Sequence, residues 1–256
     1  ATMDAAAVAA YLGGPAITAP GRAYPVDVGY RPPKPGERVE DAVAAAIREA
    51  LDSTDGDVLA FLPGLREIEA VRASLRRPTA GSAGRGSPDV LTLHGSMPLA
   101  DQRRVTLPPA GAGRRVILAT NVAETSLTVP RISAVVDSGL SRLSRFHAPS
   151  GLNRLVTERA SLAEADQRAG RAGRLGPGLC LRCWDASDLL APSRGPELAR
   201  TELSAVALEC AVRGSSRLGA TRWLDEPPRH MWDAAVGTLW RIGLVDDGGR
   251  ATESGR

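Results

Sequence analysis

The octamer Gln167-Arg168-Ala169-Gly170-Arg171-Ala172-Gly173-Arg174 puts three arginines and two glycines into one short stretch. Read as a helix over 164–172, it sets Arg171 and Arg174 on one face, with Gln167 a turn earlier on the same side. Two guanidiniums and a carboxamide then converge. Planar forks of N–H donors aimed at one point suit a phosphate whose charge grows during transfer, and a carboxamide can place the attacking water. Gly170 and Gly173 would let another backbone or a nucleotide approach closely. A solvated basic helix face has the same composition, so the octamer needs a second signal before it implies chemistry.

That signal lies upstream, in Ala119-Thr120-Asn121-Val122-Ala123-Glu124-Thr125-Ser126-Leu127-Thr128-Val129. Thr120 and Asn121 stand where the apolar run Arg114 to Ala119 ends, so hydroxyl, amide and backbone N–H groups can meet a phosphate there. The two stretches resemble motif V (TNxAETSLT) and motif VI (QRxGRAGR) of superfamily 2 helicases of the DEAH/RHA type. The opening Gln sets the second apart from DEAD-box relatives, which usually begin this motif with His. Val58 to Gly64 is similar to motif IV (VFLPG), Leu93-His94-Gly95-Ser96-Met97-Pro98 to an LHGSLP element, and Pro20 to Val26 to a PGRxYPV segment between the two motor lobes.

The resemblance implies roles residue by residue. Gln167, Arg171 and Arg174 would serve ATP hydrolysis, Arg171 and Arg174 also holding the nucleotide. Ser126 would sense nucleotide state and Thr128 contact the ribose. Gly64, Gly95, Ser96, Thr120 and Asn121 would face the backbone of single-stranded RNA. In the family a hairpin separates motifs V and VI, and here Arg142, Arg145 and Arg154 on that hairpin are phosphate candidates, though a solvated hairpin reads the same way. Pro130 stands where the family often has an acid, putting a second ribose contact in doubt. Thr106 aligns with the adenine-stacking aromatic, so weak base discrimination is expected.

The chain starts at Ala1-Thr2-Met3-Asp4, one residue inside the SAT of motif III, and reads as a fragment cut there. It has no G-x-x-x-x-G-K-[ST] loop to cradle phosphates and no DEAH tetrapeptide to hold Mg²⁺. The expected cofactors, ATP and Mg²⁺, therefore require a missing N-terminal RecA-like lobe, which would hold most of the metal's ligands. This chain alone is expected not to hydrolyse ATP. A non-catalytic nucleic-acid-binding or scaffolding module of the same fold is the alternative.

These motifs have to be positioned by ordinary elements. Val58 to Leu62, Val90 to Leu93, Arg114 to Ala119, Ile132 to Gly139 and Leu179 to Trp184 read as strands, with helices over Ala5 to Leu12, over Glu40 to Leu51 and from Leu65 on, the last with Leu65, Ile68, Val71 and Leu75 on its core side. Ala16-Ile17-Thr18 also reads as a short strand, and Arg76 to Pro88 as a mobile loop. Strands alternating with helices indicate an α/β fold, a RecA-like (P-loop NTPase type) parallel sheet lobe. Beyond Pro192 to Pro196, the stripes Leu203, Val206, Ala207, Cys210 and Trp232, Val236, Leu239, Trp240 read as helix cores. The turn Val245 to Arg250 would then complete a small winged helix. The run Leu203 to Arg213, followed by Arg222 to Pro228, most resembles the bacterial HrpB branch of the family. The expected domains are residues 1–22, a remnant of the first lobe and linker; 23–188, the second RecA-like lobe; and 189–256, the degenerate winged helix.

Composition narrows the remaining choices. With 256 residues, 43% of them hydrophobic, the chain can build one large or two modest cores. Its 32 basic residues are all arginine except Lys34, a bias that weakens arginine count as evidence for nucleic-acid binding, and the net charge is only +3. Cys180, Cys183 and Cys210 are too few and odd in number for a disulfide framework, which fits a reducing compartment. Cys180 and Cys183, three apart in a strand, would point to opposite faces, so no metal site is expected. The start carries no basic signal region, and no apolar run is long enough for a bilayer, so a cytoplasmic protein without membrane partners is expected.

Overall fold

The computed structural model describes residues 4–19, 24–77, 88–109, 111–124, 127–147, 150–214 and 216–256. It contains helices α1 (Ala5–Leu12), α2 (Val39–Ser53), α3 (Leu65–Leu75), α4 (Leu99–Thr106), α5 (Leu162–Ala169), α6 (Ser204–Val212) and α7 (Arg229–Arg241). The strands are β1 (Val26–Tyr30), β2 (Asp57–Phe61), β3 (Asp89–Leu93), β4 (Arg115–Ala119), β5 (Ile132–Asp137), β6 (Leu140–His147), β7 (Leu152–Arg159) and β8 (Gly178–Arg182).

Six strands form one parallel sheet in the order β1-β8-β5-β2-β4-β3. The strand sequences explain why it must be covered twice. β2 and β4 are buried at every position, so neither face tolerates water. Successive residues part company: Val58, Ala60, Val116, Leu118, Leu181 and Cys183 pack with Ile47, Ile68 and Val71 of α2 and α3. Leu59, Phe61, Ile117, Ala119 and Cys180 pack on the other face with Val105 of α4 and with Ala169 and Ala172. This is the period-2 alternation of a strand made visible. The lobe is the RecA-like α/β sheet expected from the sequence.

At the amino ends of β2 and β4, Asp57 and Arg115 form a fully buried pair. Arg115 Nε and Nη2 donate to Asp57 Oδ2 at 2.8 and 2.6 Å, its backbone N–H to Oδ1 at 2.9 Å, and Nη1 to the Val105 carbonyl at 2.8 Å. Every lone pair that matters is met, which is the condition for a buried charge pair to be tolerated.

The chain divides into two compact units, and the division passes through the hairpin of β6 and β7. One comprises Ala19–Arg142 and Thr157–Arg194, the six-stranded lobe. The other comprises Leu143–Val156 and Gly195–Arg256 together with α1. Within the second, α6 and α7 enclose Leu203, Ala207, Trp232 and Leu239, and Trp232 Nε1 donates to the Ser216 carbonyl at 2.7 Å. A single antiparallel bridge, Val245 to Ala251, closes the Asp246–Arg250 turn.

Three local expectations need correction. Ala16-Ile17-Thr18 is not a strand: the stretch is irregular and exposed, Ile17 at 92%, and it pairs with no strand among the described residues. Trp240, expected in the core stripe of α7, is 55% exposed and donates to Asp247 Oδ1 at 2.9 Å. It follows the buried Leu239 by one residue, about 100° round the helix. Leu65 likewise turns outward at the start of α3, leaving Ile68 and Val71 as that helix's buried contacts. Most of the expected loop Arg76 to Pro88 lies outside the described residues.

Candidate functional site

Motif VI begins on a well-made helix start. Ser161 caps α5, its Oγ accepting from the Glu164 N–H at 3.3 Å while Glu164 Oε2 accepts from the Ser161 N–H at 2.8 Å. Arg194 Nε and Nη2 grip the same Oε2 at 3.0 and 2.6 Å. Burial alone pushes the Glu164 carboxyl up, but Arg194 and Ser161 outweigh it and hold the group below its ordinary value.

The helix then ends earlier than the sequence reading placed it. α5 stops at Ala169, and residues 170–173 form a turn closed by Arg171 N–H to Arg168 O and Ala172 N–H to Ala169 O, both at 3.0 Å. Arg171 and Arg174 therefore do not share a helix face. The cause is the seat of Gly173, whose N-terminal neighbours must leave the helix for it to reach the chain entering β1. A Cβ there would stand 2.5 Å from the Tyr24 carbonyl oxygen, while the Gly173 carbonyl accepts from Tyr24 N–H at 2.9 Å. Gly170 needs no such allowance, since an added Cβ would meet nothing nearer than 3.4 Å.

The arginines nevertheless converge, because all three reach the motif V segment. Arg168 Nε donates to the Glu124 carboxylate at 3.0 Å. Arg171 Nη2 donates to the Glu124 backbone carbonyl and Nη1 to the Leu127 carbonyl at 3.0 Å. Arg174 Nη1 donates to Thr128 Oγ1 at 3.2 Å. Arg171 is buried and Arg174 exposed. Burial and the neighbouring Arg174 charge both push the Arg171 pKa down, with Glu124 opposing them. Gln167 sits half-buried on the last turn of α5. Ser126 lies outside the described residues.

The other candidates collect at the carboxyl ends of the central strands. The ladder runs past the strands proper, with Leu62 N–H on Ala119 O, Thr120 N–H on Leu93 O and Ser138 N–H on Phe61 O. The segments following β5, β2, β4 and β3 are thereby held side by side, bringing Arg142, Gly64, Thr120, Asn121, Gly95 and Ser96 to one edge. Such a crevice outside the carboxyl ends is where open α/β sheets bind ligands. Gly64 and Arg142 touch: a Cβ on Gly64 would lie 2.6 Å from Arg142 Nη1, which a glycine avoids. Arg142 is steered by Glu67 Oε1 at 3.5 Å and Thr157 Oγ1 at 3.4 Å. Gly95 and Ser96 are exposed, and Ser96 Oγ meets His94 Nδ1 at 2.8 Å. Arg145 and Arg154, both exposed, belong to the second unit.

Sequence reasoning gave no role to the group that joins these places. Arg168 is 1% exposed, and besides Glu124 it donates from Nη1 to Asp137 Oδ1 at 2.8 Å and Leu140 O at 3.2 Å, from Nη2 to Ser141 Oγ, and stacks over Phe61 at 5.2 Å. Breaking such a buried network by removing one partner costs about 3–5 kcal/mol. A signal was present: Asp137 is the lone acid ending the apolar run Ile132 to Val136, and a buried acid needs a cation.

Two clefts of about 360 and 510 Å³ around Phe146 and Met231 lie within the second unit and include none of the motif V or VI residues. Among the described residues no cluster of three His, Cys, Asp or Glu side chains could hold a metal ion. Cys180 and Cys183 sit in different cores on opposite sheet faces, where burial pushes Cys180 up to about 12 and Cys183 further. No helix among the described residues is long and apolar enough to cross a membrane.

Comparison with known proteins gives the same reading. Residues 41–176 match the helicase conserved C-terminal domain. The chain is 40% identical over 236 residues to the ATP-dependent RNA helicase HrpB of Escherichia coli (strain K12), covering 91% of this chain and 28% of that protein. It is 34% identical over 262 residues to the pre-mRNA-splicing factor ATP-dependent RNA helicase prp22 of Schizosaccharomyces pombe, covering 100% and 22%. Two crystal structures from Escherichia coli, of the DExH-box NTPase HrpB and the DEAH/RHA helicase HrpB, superpose with TM-scores of 0.82 and 0.86 at 38% identity. They cover all of this chain and 31% and 32% of theirs. The chain thus spans about a quarter to a third of the length of these relatives. By its motifs, its sheet order and these matches, it belongs to the helicase conserved C-terminal domain family and is similar to the DEAH/RHA helicase HrpB.

Proposed function

We propose that this chain is the C-terminal motor lobe, with a winged helix, of an ATP-dependent RNA helicase, and that it completes an active site begun on an N-terminal RecA-like lobe. The nucleotide, with its Mg²⁺, is held by that partner lobe; closure brings its γ-phosphate to Arg171 and Arg174. Both guanidiniums then stabilise charge on the transferring phosphoryl group, Gln167 helps place the water, Thr128 contacts the ribose and Ser126 senses the nucleotide state. The observation that carries this reading is the placing of one buried and one exposed guanidinium on the same segment, Arg171 on the Leu127 carbonyl and Arg174 on the Thr128 hydroxyl. The carboxyl-end row from Gly95 to Arg142 offers short polar groups and a cation suited to an RNA backbone, with no aromatic platform for bases.

The test uses a protein carrying both lobes. Arg174→Ala is expected to lower kcat about 10³-fold with little change in nucleotide affinity. This chain alone should show no ATPase above background. Unchanged kcat in the variant would leave Arg174 a surface charge and favour a binding or scaffolding module, and robust turnover by the chain alone would overturn catalysis shared between two lobes.

A further inference from the structure

Glu124 is gripped from two directions by motif VI. Its carboxylate accepts from Arg168 Nε at 3.0 Å, and its backbone carbonyl accepts from Arg171 Nη2. Arg168 is the fixed end of this arrangement, because Asp137, Ser141, the Leu140 carbonyl and the Phe61 ring hold it in the core. Arg171 is the other end. Among the described residues two of its five N–H donors are engaged, on Glu124 and Leu127, and a guanidinium carries further donors suited to an anion. An acid is costly in this position: burial pushes the Glu124 carboxyl up, with Arg168 opposing it. Arg168 already has a carboxylate in Asp137, so neutralising the core cation does not require a second one.

We propose that Glu124 is a positioning residue for the arginine finger: anchored on Arg168, it fixes the carbonyl against which the Arg171 guanidinium is aimed. Glu124 touches no phosphate itself. It converts the rigidity of the core around Arg168 into a defined place for Arg171, and so acts on turnover rather than on nucleotide binding. This rests on the finger reading above.

The experiment is a double-mutant cycle on ATP turnover in a protein carrying both lobes, with RNA saturating. Variants are Glu124→Gln, Arg171→Ala and the two combined, with thermal midpoints measured alongside. Glu124→Gln is expected to lower kcat about ten- to a hundredfold, the scale of a misplacement near 1 Å, with the KM for ATP within about twofold. Because Glu124 acts through Arg171, the double variant should be no slower than Arg171→Ala alone. Glu124→Asp, which keeps the charge and shortens the reach, should lose kcat with the same non-additivity and serves if Glu124→Gln does not fold. Wild-type kcat in the folded Glu124 variants, or losses that multiply in the combination, overturns the inference while leaving the finger reading intact. Wild-type kcat in both Arg171→Ala and Arg174→Ala overturns the finger reading, and Glu124 positioning with it.

Discussion

Replacing Arg171 with alanine should destabilise the fold, whereas replacing Arg174 should leave stability unchanged, although both side chains point into the same segment. Arg171 is 7% exposed and donates to two backbone carbonyls, those of Glu124 and Leu127. Each hydrogen bond from a charged donor contributes about 1.5–3 kcal/mol. Two such bonds combine to about 3–6 kcal/mol, and water entering the vacated space recovers part of this, so the expected loss is about 2 kcal/mol, below that combined range. For a chain of this size that is about 4–8 °C in Tm. Arg174 is exposed and gives up one bond to a hydroxyl, at 3.2 Å, so Arg174→Ala should stay within about 0.5 kcal/mol of the parent. Urea unfolding followed by circular dichroism, with thermal melts beside it, measures both variants without any nucleotide. Equal losses in the two variants, or none in Arg171→Ala, would show that the buried arginine does not hold motif V closed.

Two further outcomes follow from the burial of titratable groups. Under native conditions a thiol reagent should modify one cysteine per chain, the half-buried Cys210, and all three after denaturation. Burial pushes the Cys180 thiol up to about 12 and Cys183 beyond it; rapid native modification of either would contradict the two-faced packing of β8. The Glu164 carboxyl, held below its ordinary value near 4.5 against the opposing push of burial, contributes stability that is present above that pH and lost as pH falls through its lowered value. The Tm difference between the parent and Glu164→Gln should therefore be full at pH 7 and shrink below about pH 4.5. A gap that is constant down to pH 3 would refute the assignment.

What could be read from the sequence was what is written locally. The unbroken apolar runs of β2 and β4 announce burial on both faces, and the spacing of Cys180 and Cys183 places their thiols apart before any coordinates exist. Motifs V and VI identified the segments that meet, but not how they meet. The helix was carried past Ala169 because arginine and alanine favour helix, whereas the close approach of Gly173 to Tyr24 is a tertiary demand. Arg168 met its partners across 44 residues to Glu124 and 31 to Asp137, and no local pattern encodes such distances. Ala16 to Thr18 fails for the complementary reason: β propensity is satisfied only where a neighbouring strand offers a ladder.

The place of β1 in the sheet has a kinetic consequence. As an edge strand it pairs with β8 alone, and Tyr30 lies opposite Arg182, 152 residues further along the chain. Because β8 also pairs with β5, a nascent chain that has not reached Arg182 exposes two unsatisfied strand edges, one of them belonging to the largely buried strand β5. Closing so long a loop comes late in folding, and open parallel edges invite pairing with other chains in the interval. Synthesis stalled or truncated within residues 170–177 should therefore yield aggregates rather than a partly folded, soluble lobe, since the strand that unites the sheet is delivered only after the arginines have been made.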